Sequence, residues 1–550
     1  MGWGKQMGQS SRVHGEGTEP GAVPGVPGPG GPSEPGGADG REGQEGRRPG
    51  RGRRTLRWSA TTLSVLILGT AGAGYLYYEH LNGNIHKGAR SSGDSKARKA
   101  APNAAGQTPL NILLIGSDSR NSDENVELGG ARKDRGTPPR GDVQMLIHLA
   151  ADRKSASVVS IPRDTRVDIP RCTDPETGRT YPPVNTIINA SLARGGAGCT
   201  LATWQNLTGV YIDHWMTIDF AGVVKMADAI GGVEVCVEQN VWDRPLPGVP
   251  GGSGLKMRAG HHKVQGVQAL QWLRTRHAWG SDPLRARAQH MYMNSMIRTL
   301  KAQNVFTDTG RLTDLAEAAT RSLHVSEEIG TVKKLYDLGT QLKTVPTDRI
   351  TMTTLPTVAD PEDPNHLIAA GADADRVWDM LRDDVPFDGK GGKPGAGKPS
   401  EAAGKASGDP AAADGAIGVL VRNATRSSTL GPVGGRAAAL ARHLVDEGFT
   451  KAAADTSPAT SEERTVVRYP SAELAGDAQR VAKSLGIPAG SVKRSADVSG
   501  VTVVVGADWR TGTAYPKQPS PKAGDLPGDA DALNGSDAGK CMDVYAPYRW

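Results

Sequence analysis

Three short apolar runs, each bounded by charge, set the first pattern. NILLIGSDSR carries a buried-strand run, Ile112–Ile115, that stops at Gly116 and then presents Asp118, Ser119 and Arg120. RGDVQMLIHLA gives a second strand over Val143–Leu149, entered through Arg140 and Asp142. SASVVSIPRDTRVDIP gives a third, Ala156–Ile161, ending at Pro162-Arg163-Asp164-Thr165. Sites in open α/β sheets gather at strand ends, so these charges are the first candidates for chemistry.

Helical spacing follows over Asn185–Gly195 and Leu201–Leu207. HWMTIDFAGVVKMADAIGGVEVCV reads as strand, helix (Phe220–Ile230), Gly231-Gly232 stop and strand (Val233–Val237). A Pro/Gly loop then runs to about Gly254. Helices near Gly310–Ser322 and Ile329–Leu342, a strand at Arg349–Leu355 and a helix at Asp373–Arg382 bring this domain to Phe387. After a Gly/Lys/Ala/Pro linker, a smaller module reads strand (Ile417–Val421), helix (Gly434–Glu447), strand (Thr465–Tyr469), helix (Ser471–Leu485), strand (Val501–Val505). Its tail to Trp550 reads mostly as loop.

The stretch Ala269–Gln289, ALQWLRTRHAWGSDPLRARAQ, concentrates the chemistry. Read as a strand, its apolar start puts Arg274 and Arg276 on one face. A break follows at Gly280-Ser281-Asp282-Pro283. Ser281 or Asp282 suits a helix N-cap and Pro283 the first helical position. Arg285 and Gln289, four apart, then share a helix face. Three guanidiniums and an amide converging on a strand-to-helix turn match the geometry of phosphate oxygens. The bland alternative is a solvated face of surface ion pairs.

Ahead of the domains, WSATTLSVLILGTAGAGYLYY (Trp58–Tyr78) holds no charge, long enough to cross roughly 30 Å of hydrocarbon as a helix. Trp58 sits at one end and Tyr75, Tyr77 and Tyr78 at the other, where interfacial aromatics belong. Arg47, Arg48, Arg51, Arg53, Arg54 and Arg57 precede it, which predicts a cytoplasmic N-terminus and everything after Tyr78 outside. An uncleaved signal-anchor is expected over a cleaved signal peptide, despite the small residues Ala71-Gly72-Ala73-Gly74.

Composition adds three points. The 550 residues include 71 Gly and 37 Pro, so much of the chain is linker. The net charge of +6 owes much to Arg41–Arg57 beside the apolar span, which argues against nucleic acid as a partner. The four cysteines, Cys172, Cys199, Cys236 and Cys541, form no CxxC pair. Cys172 and Cys199, in polar turn-rich contexts, are the candidate disulfide; four unpaired small core residues are the alternative. His261-His262 lacks a third ligand nearby and reads as loop. The predicted organisation is a disordered cytoplasmic tail (1–57), a transmembrane helix (58–78), a linker (79–108), a large domain (109–387), a linker (388–414), a small domain (415–510) and a tail (511–550).

In order along the chain, LLIGSDSR, RGDVQML, SIPRDT, IDFAGVVKMADAIGGV and LRTR followed by GSDPLRARAQ resemble the LytR-CpsA-Psr family of cell-envelope proteins. VLVRNATRSS, TVVRYP and VTVVVGADW resemble the LytR-type C-terminal domain of actinobacterial members. The resemblance implies an α/β fold with a central mixed sheet flanked by helices in α-β-α layers, joined to one transmembrane helix and a small C-terminal α/β domain. It implies a magnesium-dependent transferase that moves a glycopolymer from a polyprenyl pyrophosphate carrier onto a muramic acid hydroxyl of peptidoglycan, with teichoic or teichuronic acid, galactan and capsule as the candidate polymers. Carried over residue by residue, Asp118 and Asp142 would hold Mg2+. Arg140, Arg163, Arg274, Arg276, Arg285 and Gln289 would surround the pyrophosphate, and the polyprenyl tail would enter a hydrophobic tunnel between sheet and helices. Asp118, Asp142, Arg163 and Arg276 would carry the catalysis. Asp164 reads as a structural partner, and Arg120 as a salt-bridge partner rather than a ligand. One departure is Ala288, where many members have a basic residue; another is the short segment between Arg276 and Arg285. Two other readings use the same residues: a polyprenyl pyrophosphate phosphatase with water as nucleophile, and a non-enzymatic membrane-bound regulator or wall-binding protein.

Overall fold

The computed structural model describes residues 51–550 apart from 96, 104, 120–121, 129–134, 304–307, 391–410, 427–429, 463, 496, 517–520 and 538. The expected disorder over residues 1–50, most of the 388–414 linker and Arg120 therefore lie outside the described residues, whereas Arg51–Arg57, expected in the same tail, begin a helix.

The first element is α1, Arg51–Asn84. Within it Thr55–Asn84 is long and apolar enough to cross a membrane. Leu63, Val65, Leu66, Ile67 and Leu68 are all exposed. Thr61, Thr62, Ser64 and Thr70 return their hydroxyls to carbonyls four residues back, so the span satisfies its own polar groups, as hydrocarbon demands. The boundary between two compact units falls inside this helix, at Ala71/Gly72, and the second unit is described here by itself.

The second unit is built on an eight-stranded mixed sheet. Its strands are β1 (His86–Gly88), β2 (Leu110–Ser117), β3 (Gly141–Leu149), β4 (Ala156–Ser160), β5 (His214–Ile218), then, beyond the β6 (Val233–Val237) and β7 (Gly260–Val264) hairpin, β8 (Leu323–Ser326) and β9 (Ile350–Thr354). The order is β1-β8-β5-β2-β3-β4-β9, and a last strand from the chain's end pairs outside β9. The antiparallel pairs β2–β3 and β3–β4 fill the centre, flanked by parallel β2–β5 and β4–β9. All five side chains of β4 and of β9 are buried, which explains their composition of apolar residues and small hydroxyls, serine in β4 and threonine in β9.

Helices are α2 (Asp123–Glu127), α3 (Gly196–Thr208), α4 (Phe220–Ala229), α5 (Gly266–Arg274), α6 (Asp282–Ala302), α7 (Thr309–Ser322), α8 (Val332–Thr344) and α9 (Gly371–Arg382). One face of the sheet joins α3 and α9 in a core where Trp204 and Trp378 meet edge to face, 6.3 Å apart. The other face carries α6 and α8 through Met293, Ile297, Leu335 and Leu342. There Leu110, Leu114 and Ile147, although on central strands, stay only partly buried.

The small domain stacks β10 (Gly418–Asn423), β11 (Lys451–Ala454), β12 (Val466–Tyr469), β13 (Val492–Arg494) and β14 (Val501–Val505) in the order β11-β10-β14-β12-β13. Its helices α10 (Arg436–Asp446) and α11 (Ala475–Leu485) bury Leu440, Leu444, Val481 and Leu485 against the sheet.

Several expectations change. Ala269–Arg274 is helix, not strand: Ala269, Leu270 and Trp272 are buried, a one-sided stripe that a helix accommodates. Asn185–Gly195 splits into an extended segment, Val184–Ile187, and a 3-10 run, Ile188–Arg194. His261-His262 lies on β7, a strand rather than a loop. Residues 79–108, expected as a spacer, pack on the domain: β1 pairs with β8, and Arg90 donates to the Ile212 carbonyl at 2.8 Å. Cys172 joins Cys199, and Cys236 joins Cys541, 305 residues on. That second bond excludes the alternative of unpaired core cysteines. It also removes the thiolates that a metal at Cys236, His261 and Cys541 would need.

Candidate active site

The site forms where β2 and β4 end and β3 begins, beside the α5–α6 connection. At the end of β2 the ladder is irregular between Gly116 and Ser117, a bulge that re-aims the residues beyond it. Asp118 N–H donates to the Arg140 carbonyl at 3.1 Å, and the Arg140 N–H donates to Asp118 Oδ1 at 2.6 Å. This reciprocal clasp fixes Asp118 beside the start of β3, on which Asp142 is the second residue. The Arg140 side chain is exposed.

Arg163 sits in the turn after β4. That turn is pinned by backbone bonds from Thr165 N–H to Pro162, from Asn189 N–H to Arg163 and from Leu367 N–H to Asp164. Its guanidinium donates to Asp142 Oδ1 at 3.2 Å and, at 3.4 Å, to Asp164 Oδ2. Burial alone would lower the Arg163 pKa, but Asp142, then Asp164 and Asp282, overrule it and hold the group above its ordinary value.

The other wall is the α5–α6 connection. α5 ends at Arg274, a 3-10 turn covers His277–Trp279, Gly280 turns the chain at φ +85°, and Ser281 caps α6. Trp272 and Trp279 pack edge to face at 5.1 Å, and the Trp272 indole donates to the Ala288 carbonyl at 3.0 Å. Ala288 is fully buried, so the small residue at this position is what the Trp272 packing needs. The wedge aims Arg276 and Arg285 at one carboxylate: Arg276 Nε lies 3.1 Å from Asp282 Oδ1 and Arg285 Nη2 3.6 Å from Oδ2. Arg285 is buried; desolvation lowers its pKa, with Arg163 and Arg276 adding to the effect against Asp282.

Arg163, Arg276, Arg285, Asp142, Asp164 and Asp282 thus form one electrostatic cluster. Two members were not chosen from sequence. Asp282 stood only as a cap candidate, and Asp164 was set aside. Burial pushes the Asp164 carboxyl up; Arg163 opposes this, and a side-chain hydrogen bond with Asp282 adds to it. The available signal was an acid three residues before Arg285 at a helix start, the spacing of an i,i+3 pair.

Two expected ligands are engaged with main-chain carbonyls. Arg274 donates to the Leu128 carbonyl at 3.0 Å and lies 4.7 Å over the Phe220 ring. The Gln289 amide donates to the Leu273 carbonyl at 3.1 Å, tying α6 to the end of α5. Because α5 is a helix, Arg274 and Arg276 do not share a strand face.

The LytR_cpsA_psr family model matches residues 75–383. The chain belongs to this family. A second match, LytR cell envelope-related transcriptional attenuator, covers residues 416–509. The chain is 30% identical over 326 residues to the cell wall biosynthesis protein LcpA of Corynebacterium glutamicum, covering 56% of this chain and 60% of that one. It is 31% identical over 175 residues to the polyisoprenyl-teichoic acid–peptidoglycan teichoic acid transferase TagU of Halalkalibacterium halodurans, covering 32% of this chain and 50% of that one. To TagT of Bacillus subtilis, named for the same reaction, it is 24% identical, covering 55% of this chain and 88% of that one. The match therefore spans less than two thirds of the first of these relatives. Among solved structures, the LytR-Csp2A-Psr enzyme from Actinomyces oris aligns at 16% identity with a TM-score of 0.38, covering 54% of this chain and 96% of that one.

Proposed function

We propose that the chain is a membrane-anchored, extracytoplasmic phosphotransferase that moves a glycopolymer from a polyprenyl pyrophosphate carrier to peptidoglycan. The observation that carries this reading is the gathering of Arg163, Arg276 and Arg285 at the ends of the central strands. Asp142, Asp164 and Asp282 balance these guanidiniums in the free protein, and the half-exposed Arg276 leaves the cluster open to an incoming anion that can take over from those carboxylates. A diphosphate is such an anion, and guanidiniums bind its oxygens in pairs. The names of TagU and TagT, which act on a polyisoprenyl-linked teichoic acid and peptidoglycan, support the donor and acceptor classes.

Asp118 and Asp142 offer oxygen donors at adjoining strand ends, a set that fits magnesium, which often takes one or two carboxylates and leaves the rest to phosphate and water. When bound, Mg2+ would neutralise charge on the diphosphate. In the transfer, the acceptor hydroxyl oxygen bonds to the sugar-bearing phosphorus while the bridging P–O bond breaks. Polyprenyl monophosphate leaves, and the hydroxyl proton passes to a carboxylate. Asp118, clasped by the Arg140 amide, is our candidate for that proton. Arg163, Arg276 and Arg285 hold the diphosphate and take up charge as it develops. The partly exposed apolar residues Leu110, Leu114 and Ile147, between α6 and α8, support a slot for the prenyl chain. Two disulfides fit an oxidising compartment outside the membrane.

The test is equilibrium binding of a polyprenyl pyrophosphate-linked sugar to the full chain in lipid nanodiscs. Arg276→Ala is expected to weaken binding by about 10-fold or more, as loss of one charge-assisted contact does. Equal affinity for the pyrophosphate lipid and a neutral prenyl alcohol would count against the reading.

A further inference from the structure

The chain's last residues lie beyond both family matches, which end at 383 and 509. They nevertheless return to the large domain. Leu533–Asn534, here β15, adds an antiparallel edge strand to β9. Asp531 pairs with Arg287 of α6 at 2.6 Å. Cys541 bonds to Cys236 of β6, and Met542 exchanges backbone hydrogen bonds of 2.9 Å with Cys236 and Glu238.

From that anchor the tail reaches the turn between Arg276 and Asp282. Tyr545 N–H donates to the Ala278 carbonyl at 2.8 Å, giving that turn's buried backbone an acceptor's partner from outside itself. Tyr545 also backs Gly280: a Cβ placed there would lie 3.5 Å from Tyr545 Cβ and Cγ. The Tyr548 ring, itself buried, stacks on His277 with centroids 6.1 Å apart. Three of the residues joining Arg276 to Asp282 are therefore held by the tail.

We propose that the C-terminal tail is a positioning element of the phosphate site. Tyr545 and Tyr548, tethered by the Cys236–Cys541 disulfide, hold the turn that sets Arg276 against Asp282. The proposal rests on reading Arg276 as a phosphate ligand. Its physical content is separate: without the tail, the turn is left with an unpartnered carbonyl and an unsupported Gly280.

Tyr545 makes the test clean. Its backbone, φ −59° and ψ 128°, already suits proline, so Tyr545→Pro deletes the N–H donor, and the ring carbon in its place pushes the Ala278 carbonyl away. Tyr545→Ala keeps that donor and removes the ring, and Tyr545→Phe keeps both. In the full chain in nanodiscs, amide exchange across residues 276–282 is expected to rise roughly 5- to 10-fold in Tyr545→Pro and less in Tyr545→Ala. The KM for a polyprenyl pyrophosphate-linked sugar is expected to rise on the order of 10-fold while the melting temperature holds. Tyr545→Phe restores both. Wild-type exchange across the turn in Tyr545→Pro would overturn the proposal. A wild-type chain that binds no pyrophosphate donor would sink the functional reading instead, and the exchange measurement would still decide the role of the tail.

Discussion

Asp282 serves as an internal anion for the arginines, and removing it should separate stability from affinity. Its side chain is 11% exposed, as is that of Arg285, while Arg276 is 48% exposed. At an effective dielectric of about 20, a charge pair some 3 Å apart attracts by roughly 5 kcal/mol before desolvation. Breaking a buried pair by deleting one partner costs about 3–5 kcal/mol, and a half-exposed pair about 0–1. Asp282 combines a moderately long contact to a buried guanidinium with a closer one to an exposed guanidinium, so we expect Asp282→Ala to cost about 2–3 kcal/mol, between those bounds. In a domain of this size that lowers the melting temperature by roughly 4–12 °C. Pyrophosphate should then bind more tightly, because it no longer competes with a carboxylate for the same guanidiniums. Saturating pyrophosphate should return most of the lost stability through mass action. The assay is thermal unfolding of wild type and variant across a pyrophosphate titration, with calorimetric affinities alongside. An unchanged melting temperature, or weaker pyrophosphate binding by the variant, would refute the reasoning.

Other outcomes follow from single residues. His290 on α6 is fully buried, and desolvation pushes its pKa down to about 4. It stays neutral in the fold while the unfolded chain takes a proton near pH 6.5, so its contribution is complete above that pH and declines toward pH 4. The loss is on the order of 3 kcal/mol, and His290→Phe should flatten this part of the stability–pH curve. The 27-residue separation of Cys172 and Cys199 makes their disulfide worth roughly 3–4 kcal/mol in the chain-entropy account, so the double serine variant should melt well below wild type when its Cys236–Cys541 bond is intact. Arg285→Met keeps the length of a buried side chain but not its charge; donor turnover should fall by about 10²–10³, and the melting temperature should fall by only a few degrees because Arg276 still pairs with Asp282. Retained turnover in that variant would remove Arg285 from the site.

Local patterns carried much of the fold. Helices with clear stop signals, such as Phe220–Ala229 before Gly231-Gly232, and strands with unbroken apolar runs, such as Ala156–Ser160, stand where the sequence puts them. Arg163, Arg276, Arg285 and Asp142 meet because strand ends and a helix start are legible from such signals. What depended on distant partners was hidden. Residues 86–88 become strand only by pairing with β8, more than two hundred residues on, and the tail is ordered by β9, Cys236 and the Arg276–Asp282 turn. The stretch Ala269–Arg274 misled because a short apolar run has no decisive period. Its helix places Arg274 over Phe220, with the Leu128 carbonyl as acceptor. Asp282 was hidden by its position: an acid at a helix start serves the dipole in most proteins, and only the neighbouring guanidiniums reveal its second role.

The most direct test of the account is transfer itself. The full chain in nanodiscs is mixed with a polyprenyl pyrophosphate-linked sugar and peptidoglycan oligomers, with and without Mg2+, beside Arg276→Ala and Asp142→Ala. The account predicts magnesium-dependent formation of a phosphodiester between sugar and oligomer, lost in both variants. Free sugar phosphate with no attachment to the oligomer would contradict it and indicate a phosphatase, and tight donor binding without turnover would indicate a binding or regulatory protein.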